Sequence, residues 1–372
     1  GRGQLAWSPP VKWARRRPGY TCGVRANDRR LGRDFDTVTI PTSTAAGAAA
    51  GASARPRLAL VSAYLELAKA RLAALVVLTA VVGYLLGAAG WSGPATLLWT
   101  AVGTALSAFG ANIFNQLAEH DRDRRMLRTR SRPLPSGRVG RGQAAGWAAA
   151  SCLAGLAILA AGANLLTAGL SLLTILLYVG VYTPLKARTP LNTVVGAVVG
   201  AVPPMMGWAA ATGRLGLGAW ILGGILFVWQ IPHFLALAWL HRDDYARGGF
   251  RMLPAVDRPG DLTARLALLY ILSLLPVTAA LALAGVSGGG FLVASQLLGL
   301  GFAAVGWRFL RLRSEPAARR LFLASILYLP LLMAAMVADM GDGRSPLDRP
   351  ASPITVALTV AADGPPGGGI GR

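Results

Sequence analysis

The chain has 372 residues, of which 54% are hydrophobic and only 14% charged, against about 25% charged in an ordinary soluble domain; that balance excludes a soluble globular enzyme and places the bulk of the chain in a lipid bilayer. The formal net charge of +21 does not mark a nucleic-acid partner, because the basic residues sit between long apolar runs with no aromatic residues interleaved. Cys22 and Cys152 lie far apart in unlike surroundings and give neither a disulfide framework nor metal-ligand spacing.

Residues 1–58 are rich in Arg ("KWARRRPGY", "NDRRLGRD") and then turn into the tract "TSTAAGAAAGASA". This is the composition of an organellar targeting segment followed by a linker. The expected location is therefore an organellar membrane. An unstructured basic tail of a protein of the bacterial cytoplasmic membrane has the same composition and stands as the alternative. Charge-free blocks follow at 72–118, 142–185, 189–213, 215–240, 266–307 and 321–338. A spanning helix needs about 20 apolar residues, so the first, second and fifth blocks hold two helices each and the others one. The prediction is an all-α polytopic membrane protein whose domain, residues 59–340, crosses the bilayer nine times. Hairpin breaks are expected at "GWSGP" (90–94), "GANLL" (162–166) and "VSGGG" (286–290), where Gly, Pro, Asn and Ser interrupt the apolar run. Residues 341–372, rich in Gly, Pro and Asp, read as a disordered tail.

With nine spans, the linkers 119–141, 186–188, 241–265 and 308–320 fall on one face. They carry twenty Lys or Arg, whereas the opposite connections carry only Arg214, so the positive-inside rule puts that face and the N-terminus inside and the C-terminus outside. Acids gather there too, among them Glu119, Asp121, Asp123, Asp243 and Asp244. Topology requires only Lys and Arg, so these acids need another explanation.

The second span ends in "ANIFNQLAEHDRDRR". Asn115, Glu119 and Asp123 recur every four residues, each about 40° round the helix from the last, and Asn112 extends the stripe. A helix end fraying into water would tolerate acids in any order. Asn112, Asn115 and Gln116 weigh against that reading, because amides at membrane depth are costly unless they face something polar. Oxygen ligands on one helix face suit Mg²⁺, which takes one or two carboxylates and completes its shell with water and phosphate. Arg128, Arg130, Arg132 and Arg138 follow, and acids to hold a metal beside arginines to grip an anion are what a diphosphate requires.

The corresponding place after the sixth span reads "VWQIPHFLALAWLHRDDYARGGFRMLP". Asp243, Asp244, Tyr245 and Arg247 close it, and His233 follows Pro232 within the span. A proline there frees a backbone carbonyl and kinks the helix, often beside a cavity. His233 reads either as a satisfied core histidine or as a functional group at membrane depth. Lys69, Arg71, Lys186 and Arg188 also reach the inner face. A topogenic role suffices for Arg71 and Arg188. Lys69 and Lys186 are two of only three lysines beside 34 arginines, which points to a compact charge with a specific task.

"NQLAEHDRDRRMLRTRSRPLPSGR" resembles the first motif of the intramembrane aromatic prenyltransferases related to the 4-hydroxybenzoate enzyme, Asn-x-x-x-Asp-x-x-x-Asp followed by Arg-Thr-x-x-Arg-Pro-Leu. "YTPLKARTPLNTVVGAVVGAVPPMMGWAAATG" and "WQIPHFLALAWLHRDDYARGGFRML" are similar to the protohaem IX farnesyltransferase (haem O synthase) branch, and Glu119 in place of Asp fits that branch. The resemblance covers about residues 60–338. It implies nine helices around a central cavity with a cap over its charged mouth. It implies farnesyl diphosphate held through Mg²⁺, attack on its C1 by a vinyl group of protohaem IX (haem B), and water completing the side chain of haem O, which a downstream haem A synthase consumes. Position by position, it implies that Asn115, Glu119, Asp123 and Asp244 hold metal and diphosphate. Lys69, Arg128, Arg132 and Lys186 would contact phosphate, and His233 would face the haem side; Arg71, Asp243, Tyr245 and Arg247 complete the expected substrate-binding set.

Two departures stand out. The superfamily's second motif has acids four apart, but Leu240 occupies the position four before Asp244, and the basic-Pro-Arg expected before the first span is Lys69, Ala70, Arg71. The competing readings are a relative acting on a quinone precursor or chlorophyllide, and a transporter. A transporter would show broken helices in matching halves and charge at the midplane; here the acids lie on one face.

Overall fold

The structure, a computed structural model, describes residues 54–90 and 93–340. The targeting-like reading of residues 1–58 falls almost entirely outside the described residues, as does that of the tail from 341. Helices make up the described chain, with one isolated β-bridge between Ser287 and Met340. Among the described residues, nine helices are long and apolar enough to cross a membrane, and the chain is a multi-pass membrane protein. They are α2 (Ala70–Gly87), α3 (Pro94–Asp123), α4 (Arg141–Gly162), the segment Leu165–Leu185, α7 (Asn192–Thr212), α8 (Leu217–Leu240), α11 (Asp261–Leu283), α12 (Gly289–Leu312) and α13 (Glu315–Ala338). Within Leu165–Leu185, α5 (Leu165–Leu176) passes through a π-helical turn (Leu177–Tyr182) into the short α6 (Thr183–Leu185). All three expected hairpin breaks fall between helices.

Four elements lie outside the sequence expectation: α1 (Ala54–Leu67), α6, α9 (Arg242–Arg247) and α10 (Leu253–Val256). The first begins five residues before the expected domain boundary at 59. Its Arg55, Arg57 and Glu66 hide it from any search for charge-free runs, and α9 and α10 are single turns that no periodicity reveals.

Side chains dictate several helix ends. Pro94 occupies the first turn of α3, where its missing N–H costs nothing. Asn164 caps α5 by accepting from Thr167 N at 2.8 Å. On the face opposite the site, Asp339 accepts from Phe291 N at 2.6 Å and so caps α12 from the end of α13.

Helices α7 and α8 are the most buried spans, while α4, the segment Leu165–Leu185, α11 and α12 are the least buried. The main core joins α2, α7, α8, α11, α12 and α13 through residues such as Leu222, Ile225, Ile271, Phe309 and Leu332. Helix α3 packs along α4, and α2 packs along α7. The α2–α7 contact is close enough that a Cβ on Gly83 would overlap the carbonyl of Pro204 and one on Gly207 that of Ala80. This contact locks the second half of α2 against α7.

Candidate active site

The site begins at the break between α1 and α2. Lys69 stands there in the left-handed region, φ 49° and ψ 53°, a conformation that is strained for a residue with a side chain. Two amides of α3 hold the break. Asn112 Nδ2 donates to Ala68 O at 3.0 Å, and Gln116 Nε2 donates to Leu67 O, satisfying carbonyls at the end of α1 that have no helical partner. The sequence placed Asn112 on the polar stripe and required both amides to face something polar. That polar partner is backbone for both, and Asn115 continues the stripe toward the acids. The break expected from a proline is made here without one.

Held in this way, Lys69 Nζ donates to Asn115 Oδ1 at 3.0 Å. Asn115 Nδ2 donates to Thr183 Oγ1 at 2.9 Å, and Thr183 in turn donates to Tyr178 O at 2.8 Å. One turn along α3, Glu119 Oε1 accepts from Lys186 Nζ at 2.8 Å. One turn further, Asp123 Oδ2 accepts from Arg132 Nη1 at 2.9 Å. Asn115, Glu119 and Asp123 are all buried. Three of the four expected oxygen ligands therefore share one face, and each touches one of the four cations expected to contact phosphate.

The two lysines differ electrostatically. Burial, and then the charges of Lys186 and Arg132, push the Lys69 amine down to about 7. Burial also works against the charge of Lys186, but the Glu119 carboxylate beside it, with Tyr182 and Tyr178, outweighs burial and holds its pKa well above the usual lysine value. Lys186 Nζ lies 4.6 Å from the centroid of Tyr182 and 5.9 Å from that of Phe250. Tyr178 and Tyr182 stack with centroids 5.6 Å apart and an interplanar angle of 16°, and Tyr178 OH reaches Asn112 Oδ1 at 3.4 Å. The π-helical turn carries both rings; such turns occur mostly as insertions at functional sites. Tyr178, Tyr182 and Thr183 were absent from the sequence reading, although Tyr178, Tyr182 and Lys186 recur every four residues, a signal hidden in a run that looked merely apolar.

The second acidic segment supports the first rather than joining it. Asp244 Oδ1 accepts from Leu127 N at 2.8 Å and from Arg247 Nη2 at 2.9 Å, and Oδ2 accepts from Arg128 N at 3.3 Å. Burial pushes the Asp244 carboxyl up, but these hydrogen bonds and the Arg247 charge prevail and hold it below the usual range. In return, Arg122 Nη1 donates to the carbonyls of Gly248 and Gly249 at 3.3 and 3.0 Å, and Met126 packs with Ala238, Phe250 and Met252. Arg251 N donates to Lys186 O at 2.7 Å. The loops 124–140, 186–191 and 241–258 thus interlock as a cap over the ends of α3 and α8.

The remaining expected residues are more peripheral. Arg71 and Arg128 are exposed, and the Arg128 guanidinium lies 5.9 Å from the Tyr245 ring. Arg138 bonds Glu66 of α1 at 2.8 Å. Asp243 and Arg247 line a cavity of about 300 Å³ with Leu127, Arg128, Leu240, His241 and Asp244. That lining does not include Glu119 or Asp123. His233 lies elsewhere, its Nδ1 2.8 Å from Ser325 Oγ, with Trp229 stacked at 5.0 Å and Phe322 at 5.0 Å. Its ring is satisfied within α8 and α13 and makes no contact with the Lys69 to Asp123 network.

Among the described residues, no group of three or more His, Cys, Asp or Glu could hold a metal by itself. Asn115, Glu119 and Asp123 offer two carboxylates and an amide oxygen. This donor set fits Mg²⁺, which relies on one or two carboxylates and takes the rest of its shell from substrate phosphate and water. Asp244 holds the loop after α3 through both oxygens.

The UbiA prenyltransferase family model matches residues 76–329. Over 285 residues the chain is 42% identical to "Protoheme IX farnesyltransferase" of Solibacter usitatus, a match covering 74% of this chain and 98% of that one. It is 44% identical over 272 residues to "Protoheme IX farnesyltransferase, mitochondrial" of Homo sapiens, covering 73% of this chain and 61% of that one. A UbiA homolog from Archaeoglobus fulgidus, solved with GPP and Mg²⁺ bound, has the same fold, with a TM-score of 0.53 at 15% identity over 74% of this chain and 99% of that one.

Proposed function

The chain belongs to the UbiA prenyltransferase family, and from that premise we propose that it transfers the farnesyl group of farnesyl diphosphate to a vinyl group of protohaem IX, giving haem O. The observation that carries this reading is the single helix face on which Asn115, Glu119 and Asp123 meet Lys69, Lys186 and Arg132. Carboxylates that can hold a divalent ion, interleaved with cations that can grip phosphate, match a diphosphate leaving group and little else. The names of the bacterial and human relatives support the farnesyl donor and the protohaem acceptor.

Asn115, Glu119 and Asp123 would hold Mg²⁺, which when bound neutralises charge on the departing diphosphate. Lys186, Arg132 and Lys69 supply preorganised positive charge to the phosphate oxygens as the C1–O bond breaks, and so stabilise the transition state more than the ground state. The faces of Tyr182 and Tyr178 lie next to this charge reservoir and can stabilise positive charge developing on the allylic carbon. Asp244 and Arg122 hold the cap whose loop bears Arg128 and Arg132. The terminal vinyl carbon bonds to C1 as diphosphate leaves, water adds to the cation left on the adjacent carbon with loss of a proton, and no protein nucleophile is required. His233, bonded to Ser325 on α13, is assigned to the acceptor side. The reaction belongs to residues 59–340, with residues 1–58 directing the chain to the mitochondrial inner membrane. A haem A synthase is the consumer of the product.

The test uses protein in nanodiscs with farnesyl diphosphate and haem B, with and without Mg²⁺, read by mass spectrometry beside Asp123→Ala. Haem O that requires Mg²⁺ and disappears in the variant is the expected result. Diphosphate release without haem O would overturn the acceptor, and no release at all would overturn the site.

A further inference from the structure

The carboxylates proposed to hold the metal are not waiting in water. The Glu119 and Asp123 side chains are 7% and 3% exposed, and each is closed by a cation. A buried carboxylate without a partner is very costly, so the fold supplies Lys186 and Arg132 as partners. In both pairs the cation is the more exposed member, at 14% for Lys186 and 22% for Arg132. The cations therefore stand on the side from which an anion arrives, and the acids stand behind them. The third pair repeats the arrangement with an amide oxygen in place of a carboxylate, Lys69 on Asn115.

We propose that Lys186 and Arg132 are built-in counter-ions that make the site select a metal–diphosphate complex over either component: Glu119 and Asp123 exchange them for a divalent ion only when a diphosphate takes the two cations up. A divalent ion entering alone meets oxygens already paired and two nearby cations, Lys186 and Arg132. A diphosphate entering alone gains those cations only by stripping two buried carboxylates. The two together exchange partners with no charge left unpaired. The net formal charge of the five ionisable groups is positive and that of a metal–alkyl diphosphate complex is negative, so the combination is also the neutralising one. Lys186 is suited to the exchange. Its flexible stem lets the ammonium leave Glu119 while remaining over the Tyr182 and Phe250 rings.

This inference rests on the diphosphate reading of the site, and the test separates the two. Free Mn²⁺ would be measured by electron paramagnetic resonance during titration of the protein in nanodiscs, with and without farnesyl thiolodiphosphate, a donor analogue that resists ionisation. In the wild type, the analogue is expected to tighten Mn²⁺ binding at least about tenfold, inside the 5–150-fold range of ordinary site coupling. In Lys186→Met, Mn²⁺ alone binds more tightly than to wild type, and the gain from the analogue falls to about threefold or less on the same coupling scale. Arg132→Met is the second variant and moves in the same direction through Asp123. Equal Mn²⁺ affinity with and without the analogue in the wild type overturns the counter-ion role while leaving the site in place, as does unchanged Mn²⁺ affinity in both variants. Absence of binding even when both probes are present overturns the diphosphate reading itself.

Discussion

Lys69 Nζ donates to Asn115 Oδ1 across 3.0 Å, joining a left-handed break between two helices to the polar face of a third. Burial and neighbouring cations push this amine down to about 7, so near pH 8 it is largely neutral in the free protein. An anion bound beside it raises its pKa, and binding must then draw a proton from solution. Below pH 7 the amine is charged in both states and no uptake occurs. The expected outcome is proton uptake on binding of farnesyl thiolodiphosphate at pH 8, measured by calorimetry in buffers of different ionisation enthalpy, and affinity that declines as pH rises above 7. In Lys69→Arg the uptake should vanish, because a guanidinium stays charged throughout; uptake that persists there would assign the proton to another group.

Asp244 binds the second acidic segment to the first loop. Asp244→Ala leaves Leu127 N and Arg128 N without their acceptor and Arg247 without its ion pair. A lost buried acceptor costs about 1–3 kcal/mol, so thermal unfolding in detergent should shift down by several degrees and the loop 124–140 should become more open to protease. Asp244→Asn keeps an acceptor oxygen and should recover part of the loss. If Asn behaves as badly as Ala while the loop stays protected, the carboxylate charge matters for ligand binding and not for the clasp.

Tyr182 offers a face that already lies 4.6 Å from a cation. A desolvated cation–π contact contributes about 2 kcal/mol, which corresponds to about 30-fold in rate. Tyr182→Leu should therefore lower kcat by about that factor with little change in KM for the donor, whereas Tyr182→Phe, which keeps the ring, should stay within about threefold on the same rate scale. Equal losses in the two variants would point to the hydroxyl instead.

Gly83 and Gly207 let α2 and α7 touch backbone to backbone. Gly207→Ala forces a Cβ into the Ala80 carbonyl, and overpacking of this kind costs about 1–3 kcal/mol. A lower thermal midpoint is expected. An unchanged midpoint would show that α2 can shift freely.

The nine spans, their breaks and the charged face were legible in the sequence because each depends on local composition: a bilayer demands long runs without charge, and Gly, Pro and Asn interrupt them. The stripe Asn115, Glu119, Asp123 was equally legible, since helical periodicity alone aligns residues four apart. What sequence could not provide was the partner of each group. Gln116 and Asn112 read as amides in need of a polar partner, and that partner is the carbonyls of Leu67 and Ala68, because an unforeseen helix ends there. Asp244 read as a metal ligand, yet its oxygens hold the loop that follows α3, more than a hundred residues away in the chain. Tyr178 and Tyr182 were not singled out and became visible only where a π-helical turn brings Tyr182 beside Lys186 and stacks Tyr178 on it. Lipid solvation fixes where a chain must be apolar, residue by residue, but the pairing of buried charges is decided between helices distant in sequence, and only the packed bundle specifies it.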